Sequence, residues 1–492
     1  MISKKRMLRV LDKSDLDAIH GATLEVLRTT GVVVKSDEAL DLLEKAGHEV
    51  DRKTGVVRMP EALVMEAVKS CRPNFKWCAR SKKHTVEVVD GRTKVGPGSQ
   101  CLFFVDPFTN EFRPATMTDG VVACKLLDAI DSCSLGYIPI YPHDVPDNAM
   151  SVLMWVASSV HSSKLQYGSS GDPAEFELML RVAEILLGGR EKFRKTSLFP
   201  GYIDPISPLG HDASMTQTIL RHMEWDSPVF VTVMALAGGT APAALAGLLV
   251  QQNAEVLSSI AIARCASKRP KIIYGSVSCP LDMRSGIAAT GSPEFSLIGV
   301  GAVQLAKYYH LPSNMGVQSD SKTVDAQTTY EKTIAATMAF MSGADFSELF
   351  LGSTEAFNAF SPTQMMIDEE VVANISRIAR GIEVSDETLS VNVIAKTGPL
   401  GNYLKQMDTL RQFRKEHHQP VLSDRDTRPQ WTSSGSLDTN ARASARVKHL
   451  LATHVPEPLS PDMRREFDKL IADYTKDYTV DSLERLVSRT SG

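Results

Sequence analysis

The sequence predicts an α/β chain folded as a (β/α)8 TIM barrel, with an N-terminal helical and hairpin extension and extra helices at the C-terminus. Three observations carry that expectation. Between about residues 94 and 380, short apolar runs alternate with helix-length segments eight times. Such runs read as parallel strands, because each crossover between parallel neighbours needs a covering helix. Right-handed crossovers then leave a closed barrel or a doubly wound sheet, and no GxGxxG follows the first strand to favour the dinucleotide-binding form. Finally, the stretch Leu311–Lys332 ends an apolar run (Ser313–Val317) in the polar knot Gln318-Ser319-Asp320-Ser321-Lys322, just before a helix that Thr323 or Asp325 can cap. Barrels deliver functional groups to their mouth in this way.

Taken in order, residues 1–92 form the extension. Leu16, Ile19, Leu24 and Leu27 follow a helical period after Ser14 and stop at Gly31. A second helix spans about Ser36–Ala46, and a third starts at Pro60. A hairpin is expected from HTVEVV and RTKV around Asp90-Gly91, and a second two-stranded piece turning at Asp106–Asn110.

Residues 93–381 supply the barrel. A strand within Lys94–Val105 leads to a helix at Thr118–Ile130, then Leu135–Ile140 to Asp147–Ser162, and Leu165–Ser169 to Asp172–Leu187. Thr196–Tyr202 leads to Asp212–Trp225, and Val229–Ala235 to the Ala- and Leu-rich Ala241–Ser267. Lys271–Val277 leads to Pro293–Tyr309, Ser313–Val317 to Thr323–Met341, and Phe346–Leu351 to Pro362–Arg380. Residues 382–492 add helices at Asp386–Lys396, Asp408–His417, Asn440–His454 and Pro461–Tyr478. The stretch Ala241–Ser267 suits either a homo-oligomer contact or a buried crossover helix.

Composition narrows the function. The 54 Lys+Arg against 58 Asp+Glu leave no strongly basic surface for nucleic acid. No uninterrupted apolar run reaches about 18 residues, so no membrane span is expected. The basic first residues lack an apolar core, so neither is a signal peptide. Seven dispersed cysteines without a CxxC fit a reducing cytoplasm. The histidines form no HExxH and pair with no cysteine, so no metal is expected. No GxSxG nucleophile elbow occurs.

Residues just after the strands should share the mouth. They include Tyr141, His143, Ser169, Ser170, Tyr202, Asp204, His211, Gln318, Asp320, Lys322, Glu348, Glu355 and Phe357. Acids and aromatic rings dominate and arginines are few. That balance suits a cation without hydrogen-bond donors, such as a quaternary ammonium, which ring faces attract. Taken singly, each ring reads first as an ordinary packing residue, and His143 and His211 read first as hydrogen-bonded structural histidines.

Several ordered motifs resemble those of the trimethylamine methyltransferase family. They are Gly316…Asp320-Ser321-Lys322…Asp325-Ala326-Gln327…Tyr330-Glu331-Lys332, then Met341–Asp345, Asp368-Glu369-Glu370 and Gly398–Leu404, with Arg411, Arg414, Asp424, Arg425 and Trp431 after them. The resemblance covers nearly the whole chain. It implies a barrel with extra helices, and transfer of a methyl group from an amine to the cobalt of a separate corrinoid (cobalamin-carrying) protein. Founding members carry pyrrolysine. This chain has none, so it resembles the branch whose characterised members demethylate quaternary amines such as glycine betaine. It departs from the family at Gly401-Asn402-Tyr403-Leu404, where Gly-His-(Tyr/Phe)-Leu is common, and at Met407-Asp408-Thr409.

The resulting expectation is a substrate cation caged by Tyr141, Tyr202 and Phe357, with Glu348 or Glu355 nearby. His143, His211, Lys322 and Gln318 are further binding candidates, and Gln318, Asp320 and Lys322 are the catalytic candidates, although Lys322 equally suits a structural pairing with Asp320. A quaternary ammonium leaves as a neutral tertiary amine, so in-line displacement needs neither a proton nor a metal, only positioning and electrostatics. The second expectation is a catalytically inactive scaffold that binds betaines or docks a corrinoid protein.

Overall fold

Six parallel strands form one curled sheet in the spatial order Lys94–Pro97, Phe346–Leu351, Ser313–Met315, Ile272–Ser276, Val229–Val233, Gly201–Ile203. The computed structural model describes residues 7–168 and 171–487. Ser169 and Ser170, read above as mouth residues, lie outside the described residues. The last strand pairs with the first, Phe346 opposite Lys94 and Leu351 opposite Pro97.

The remaining gap is bridged by single parallel contacts, Val95 to Cys133 and Leu135 to Leu165, and by the Gly168 N–H donating to Pro200 O at 2.7 Å. Eight crossing segments therefore close the barrel, but the second and third never become regular strands. Pro139 can donate no ladder hydrogen bond. A Cβ at Gly136 would stand 1.9 Å from Ser162 Oγ, so only glycine passes there.

Each segment ends where a helix can start. Asp325, rather than Thr323, caps Ala326–Ser342, its Oδ1 accepting from the Thr328 N–H at 3.0 Å. Phe346–Leu351 and Pro362–Arg380 match their expected spans. The fourth strand starts later than expected, at Gly201, because residues 193–196 form a short helical turn.

The first hairpin differs from its expectation. Val86–Glu87 pairs with Lys76–Trp77, while Lys94–Pro97 joins the barrel. The reason is burial. All four residues of Lys94–Pro97 are shielded from solvent, which a surface hairpin cannot provide. Phe103–Val105 and Phe112–Pro114 pair antiparallel as expected, and Ala359–Phe360 and Ser353–Thr354 extend that small sheet beside the mouth.

The Ala- and Leu-rich segment becomes Leu245–Ala266. It is long and apolar enough to cross a membrane, yet it is mostly buried within this chain. The N-terminal helices Lys13–Thr29, Asp37–Lys45 and Glu61–Ser70 pack over it. A helix covered on all sides needs no polar face, so its composition reflects burial against its own chain. In the C-terminal region, Thr439–Thr453 packs on Pro362–Arg380, with Arg446 forking onto Glu369 at 3.0 Å from each nitrogen.

Candidate active site

A cavity of about 450 Å³ opens at the C-terminal end of the barrel strands. Tyr167, Tyr202, Asp204, Met234, Leu349 and Phe357 line it, each within or after a barrel segment. A wider groove of about 630 Å³, between Met117, Pro146 and Arg485, lies outside the barrel and receives no strand end.

The floor of the cavity is a column of rings. Tyr202 stacks on Phe230 with centroids 6.0 Å apart, and Tyr167 meets Tyr202 edge-on at 5.4 Å and Phe230 at 5.3 Å. Tyr137, Phe346 and Trp77 continue it downward. Trp77 comes from the N-terminal extension and closes the barrel from below, its indole N–H donating to Leu198 O at 3.3 Å. Offset and edge-on ring contacts of this kind favour a rigid apolar floor.

Two acids line the cavity, Asp204 and Asp212, and the second caps its helix, Oδ1 accepting from the Met215 N–H at 2.7 Å. Asp204 follows the fourth strand, and its Oδ1 is buried with no hydrogen-bond partner among the described residues. Burial pushes its pKa up to about 7. Burial also raises the phenol of Tyr202 well above its usual range, and neighbouring Asp204 adds to that shift. A carboxylate oxygen buried without a partner is costly, and a cation entering the cavity relieves that cost.

Leu349 reaches the cavity through an irregular strand. The pairing between Phe346–Leu351 and Lys94–Pro97 shifts register between Ser347 and Leu351, and Leu349 adopts φ +57°. Bulges beside active sites re-aim side chains in this way. Glu355, Ala356 and Phe357 then take φ values of +52°, +49° and +73° in succession. Non-glycine residues hold such conformations only when their surroundings impose them.

The polar knot supplies those surroundings. Ser321 O accepts from the Glu355 N–H at 3.0 Å, and Ser319 O accepts from the Ala356 N–H at 2.9 Å. Glu331 in turn anchors the knot, accepting from Ser319 Oγ at 2.6 Å and the Asp320 N–H at 2.9 Å. Beneath it, Lys332 donates to Asp368 at 2.7 Å and Phe350 O at 2.8 Å. The residues carrying the central motif therefore hold the Phe357 loop in place.

Tyr202 and Phe357 line the cavity, whereas the other site residues expected from the sequence do not. Gln318 is fully buried, its amide donating to Leu349 O and to Ser353 Oγ, so it braces the cavity wall. Asp320 accepts from Thr290 N, Thr290 Oγ1 and Gly291 N at 2.7–3.0 Å, tying two mouth loops together. Lys322 is exposed and donates to Asp320 O at 2.7 Å. Its pairing is thus with the backbone of Asp320, not the carboxylate.

Glu348 lies inside the barrel below the cavity. Asn314 Nδ2 donates to one of its oxygens at 3.1 Å, the other has no hydrogen-bond partner among the described residues, and burial raises its pKa well above the carboxylate range. Glu355 accepts from Asn358 within its own turn. Tyr141 and His143 meet edge-on with centroids 5.3 Å apart beside the small sheet, where His143 Nε2 contacts Leu102 O at 3.1 Å. His211 is buried on the far side of its loop, 2.8 Å from Ser258 Oγ, in a short strand paired with Val32–Val34. Among the described residues, no three His, Cys, Asp or Glu side chains form a metal-ligand group.

Tyr167 and Asp204, which shape the cavity, were not among the binding residues expected from the sequence. Tyr167 sits within an apolar run whose expected mouth residue was Ser169. Asp204 was one of several polar residues after a strand, and only its shielded, unpartnered Oδ1 distinguishes it.

The model of the trimethylamine methyltransferase (MTTB) family matches residues 1–478. The trimethylamine methyltransferase of Desulfitobacterium hafniense is 32% identical over 469 residues, covering 95% of this chain and 94% of its own length. A glycine betaine methyltransferase from another strain of that species is 30% identical over 470 residues, covering 95% and 97%. The crystal structure of the Methanosarcina barkeri monomethylamine methyltransferase shares the fold, with a TM-score of 0.50 at 13% identity over 99% of this chain and 90% of that one. Matched across nearly its whole length, this chain is a methyltransferase and belongs to the trimethylamine methyltransferase family.

Proposed function

We propose that the cavity holds a small quaternary amine, of which glycine betaine is the simplest fitting example, and presents one N-methyl group to a corrinoid protein. The observation that carries this reading is Asp204, a half-buried residue whose Oδ1 is shielded from solvent and has no hydrogen-bond partner among the described residues, set into a wall of Tyr167, Tyr202 and Phe357. Ring faces attract a permanent cation and pack against its methyl groups, and Asp204 balances its charge. Ser99, Gln100 and Ser214 also line the cavity and offer donors for a substrate carboxylate.

A corrinoid ring is far too large for a cavity of about 450 Å³, which supports its arriving from outside, carried by a partner protein. That corrinoid supplies a Co(I) nucleophile, which takes the methyl group while the electron pair of the broken N–C bond stays on nitrogen. The residues of this chain orient the ammonium and exclude water; no proton transfer is required. Asp204 stabilises the reactant cation more than the charge-dispersed transition state, so the cage must hold the substrate without binding it tightly.

The test is incubation with a reduced corrinoid protein and a panel of quaternary amines, reading methylcobalamin absorbance and the demethylated amine by NMR. Glycine betaine should yield dimethylglycine. Saturable betaine binding with no methyl transfer from any amine would instead identify a binding scaffold.

A further inference from the structure

The cavity is acidic, and no base answers it. Among the described residues that line it are two acids, Asp204 and Asp212, and no Lys, Arg or His. The basic groups expected at the mouth are committed elsewhere: His143 to Leu102 O, His211 to Ser258 Oγ and Lys322 to Asp320 O. Arg284, in the loop after the sixth strand, is exposed and lies outside the lining. The remaining polar lining is neutral. Ser99, Gln100 and Ser214 bring hydroxyl and amide groups, and the Tyr167 hydroxyl is shielded from solvent without a hydrogen-bond partner among the described residues.

We propose that the cavity prefers quaternary amines whose tail is uncharged and hydrogen-bonding, and that it discriminates against zwitterions. This inference rests on the quaternary-amine reading above and ranks the members of that class. In glycine betaine a single methylene separates the ammonium from the carboxylate. Drawing the ammonium to Asp204 therefore brings the carboxylate into the field of the same acids. The carboxylate also gives up water for neutral donors alone, which do not repay the desolvation of a charge. Like charges a few ångströms apart in a partly wetted site cost about a factor of ten or more. A hydroxyl or carboxamide tail escapes both costs. Such a tail donates as well as accepts, and the Tyr167 hydroxyl and Gln100 amide can reciprocate. Betaine is then a slower substrate than its neutral-tailed relatives, not an excluded one.

Glycine betaine and its primary amide supply the test, because they match in shape and differ in tail charge. Choline adds a hydroxyl tail. Methyl transfer to a reduced corrinoid protein is followed for each at about pH 8, where Asp204 is ionised. Calorimetry measures the three affinities without any corrinoid. The amide and choline should exceed betaine about tenfold or more in both kcat/KM and affinity. Asp212→Asn keeps a side-chain oxygen to cap its helix while removing one acid. That variant should narrow the ratio of amide to betaine severalfold, chiefly by improving betaine. Betaine equal to or better than the amide, or a ratio that ignores Asp212→Asn, would overturn the preference while leaving the quaternary-amine reading in place. Binding and transfer of none of the three would overturn that reading and this inference with it.

Discussion

Lys332 Nζ and Asp368 Oδ2 stand 2.7 Å apart, and solvent reaches neither side chain. Lys332 comes from the helix after the seventh strand and Asp368 from the helix after the eighth. Asp368 also accepts from the Gly352 N–H and Gln364 Nε2, both at 2.8 Å, so the pair locks two helices to the strand that shapes the cavity wall.

Removing one partner strands a buried charge. Lys332→Met or Asp368→Leu alone should cost about 3–5 kcal/mol, whereas the double replacement should cost far less than their sum. Urea unfolding of the three variants measures this. Additive losses would show that the two groups do not act as a pair.

Asp204 should govern affinity and its pH dependence. A quaternary ammonium does not titrate, so protonation of the carboxyl below its pKa of about 7 should weaken betaine binding about tenfold per pH unit. Asp204→Asn should bind weakly at every pH and lose this dependence, as calorimetry from pH 5 to 8 would reveal. An unchanged pH profile in the variant would remove Asp204 from the site. For stability the sign is opposite to that of a salt-bridged acid. The folded state holds the proton more tightly than the unfolded one, so the contribution of Asp204 declines as pH rises from about 4 to about 7.

The rings should matter by degree. Tyr202→Ala and Phe357→Ala should each weaken betaine binding by about 0.5–2 kcal/mol, whereas Tyr202→Phe should retain most affinity. Competition with a neutral isostere separates the cation effect from packing, because only the charged ligand should discriminate between ring and no ring.

Within the polar knot, Lys322 and Asp320 should behave differently. Lys322→Ala removes one exposed contact and should leave turnover near wild type. Asp320→Ala leaves three donors of Thr290 and Gly291 without their acceptor and should destabilise the mouth by about 1–3 kcal/mol or more, lowering turnover through the loops it joins. A dead but fully stable Lys322→Ala enzyme would restore that lysine to the chemistry.

Acid should unfold the chain partly through His211. Burial lowers its pKa to about 4, so the folded state stays neutral while the unfolded histidine takes up a proton below about 6.5. Its contribution to stability is present above that value and lost as pH falls toward about 4. His211→Gln should flatten the slope of stability against pH in this window by about 1.4 kcal/mol per pH unit. Unfolding titrations read the slope, which does not depend on the absolute stability of the variant.

The barrel was legible because its signals are local. Apolar runs such as Phe346–Leu351, caps such as Asp325 and the proline opening Pro362–Arg380 act within a few residues of themselves. The second and third segments were legible as apolar runs but not as irregular ones. The close approach of Ser162 to Gly136 involves residues 26 positions apart.

The sequence by itself determined the alternation of strands and helices, the family, and the presence of acids and rings after the strands. Only the tertiary structure decided which of those groups face one another. Tyr202 lies in the fourth barrel strand and Gln318 just after the seventh, yet one lines the cavity and the other braces its wall. The physical reason is that facing is set by closure of the sheet, by the register shift before Leu351 and by loops pinned across it. Those energies belong to contacts between distant residues, and no local pattern records them.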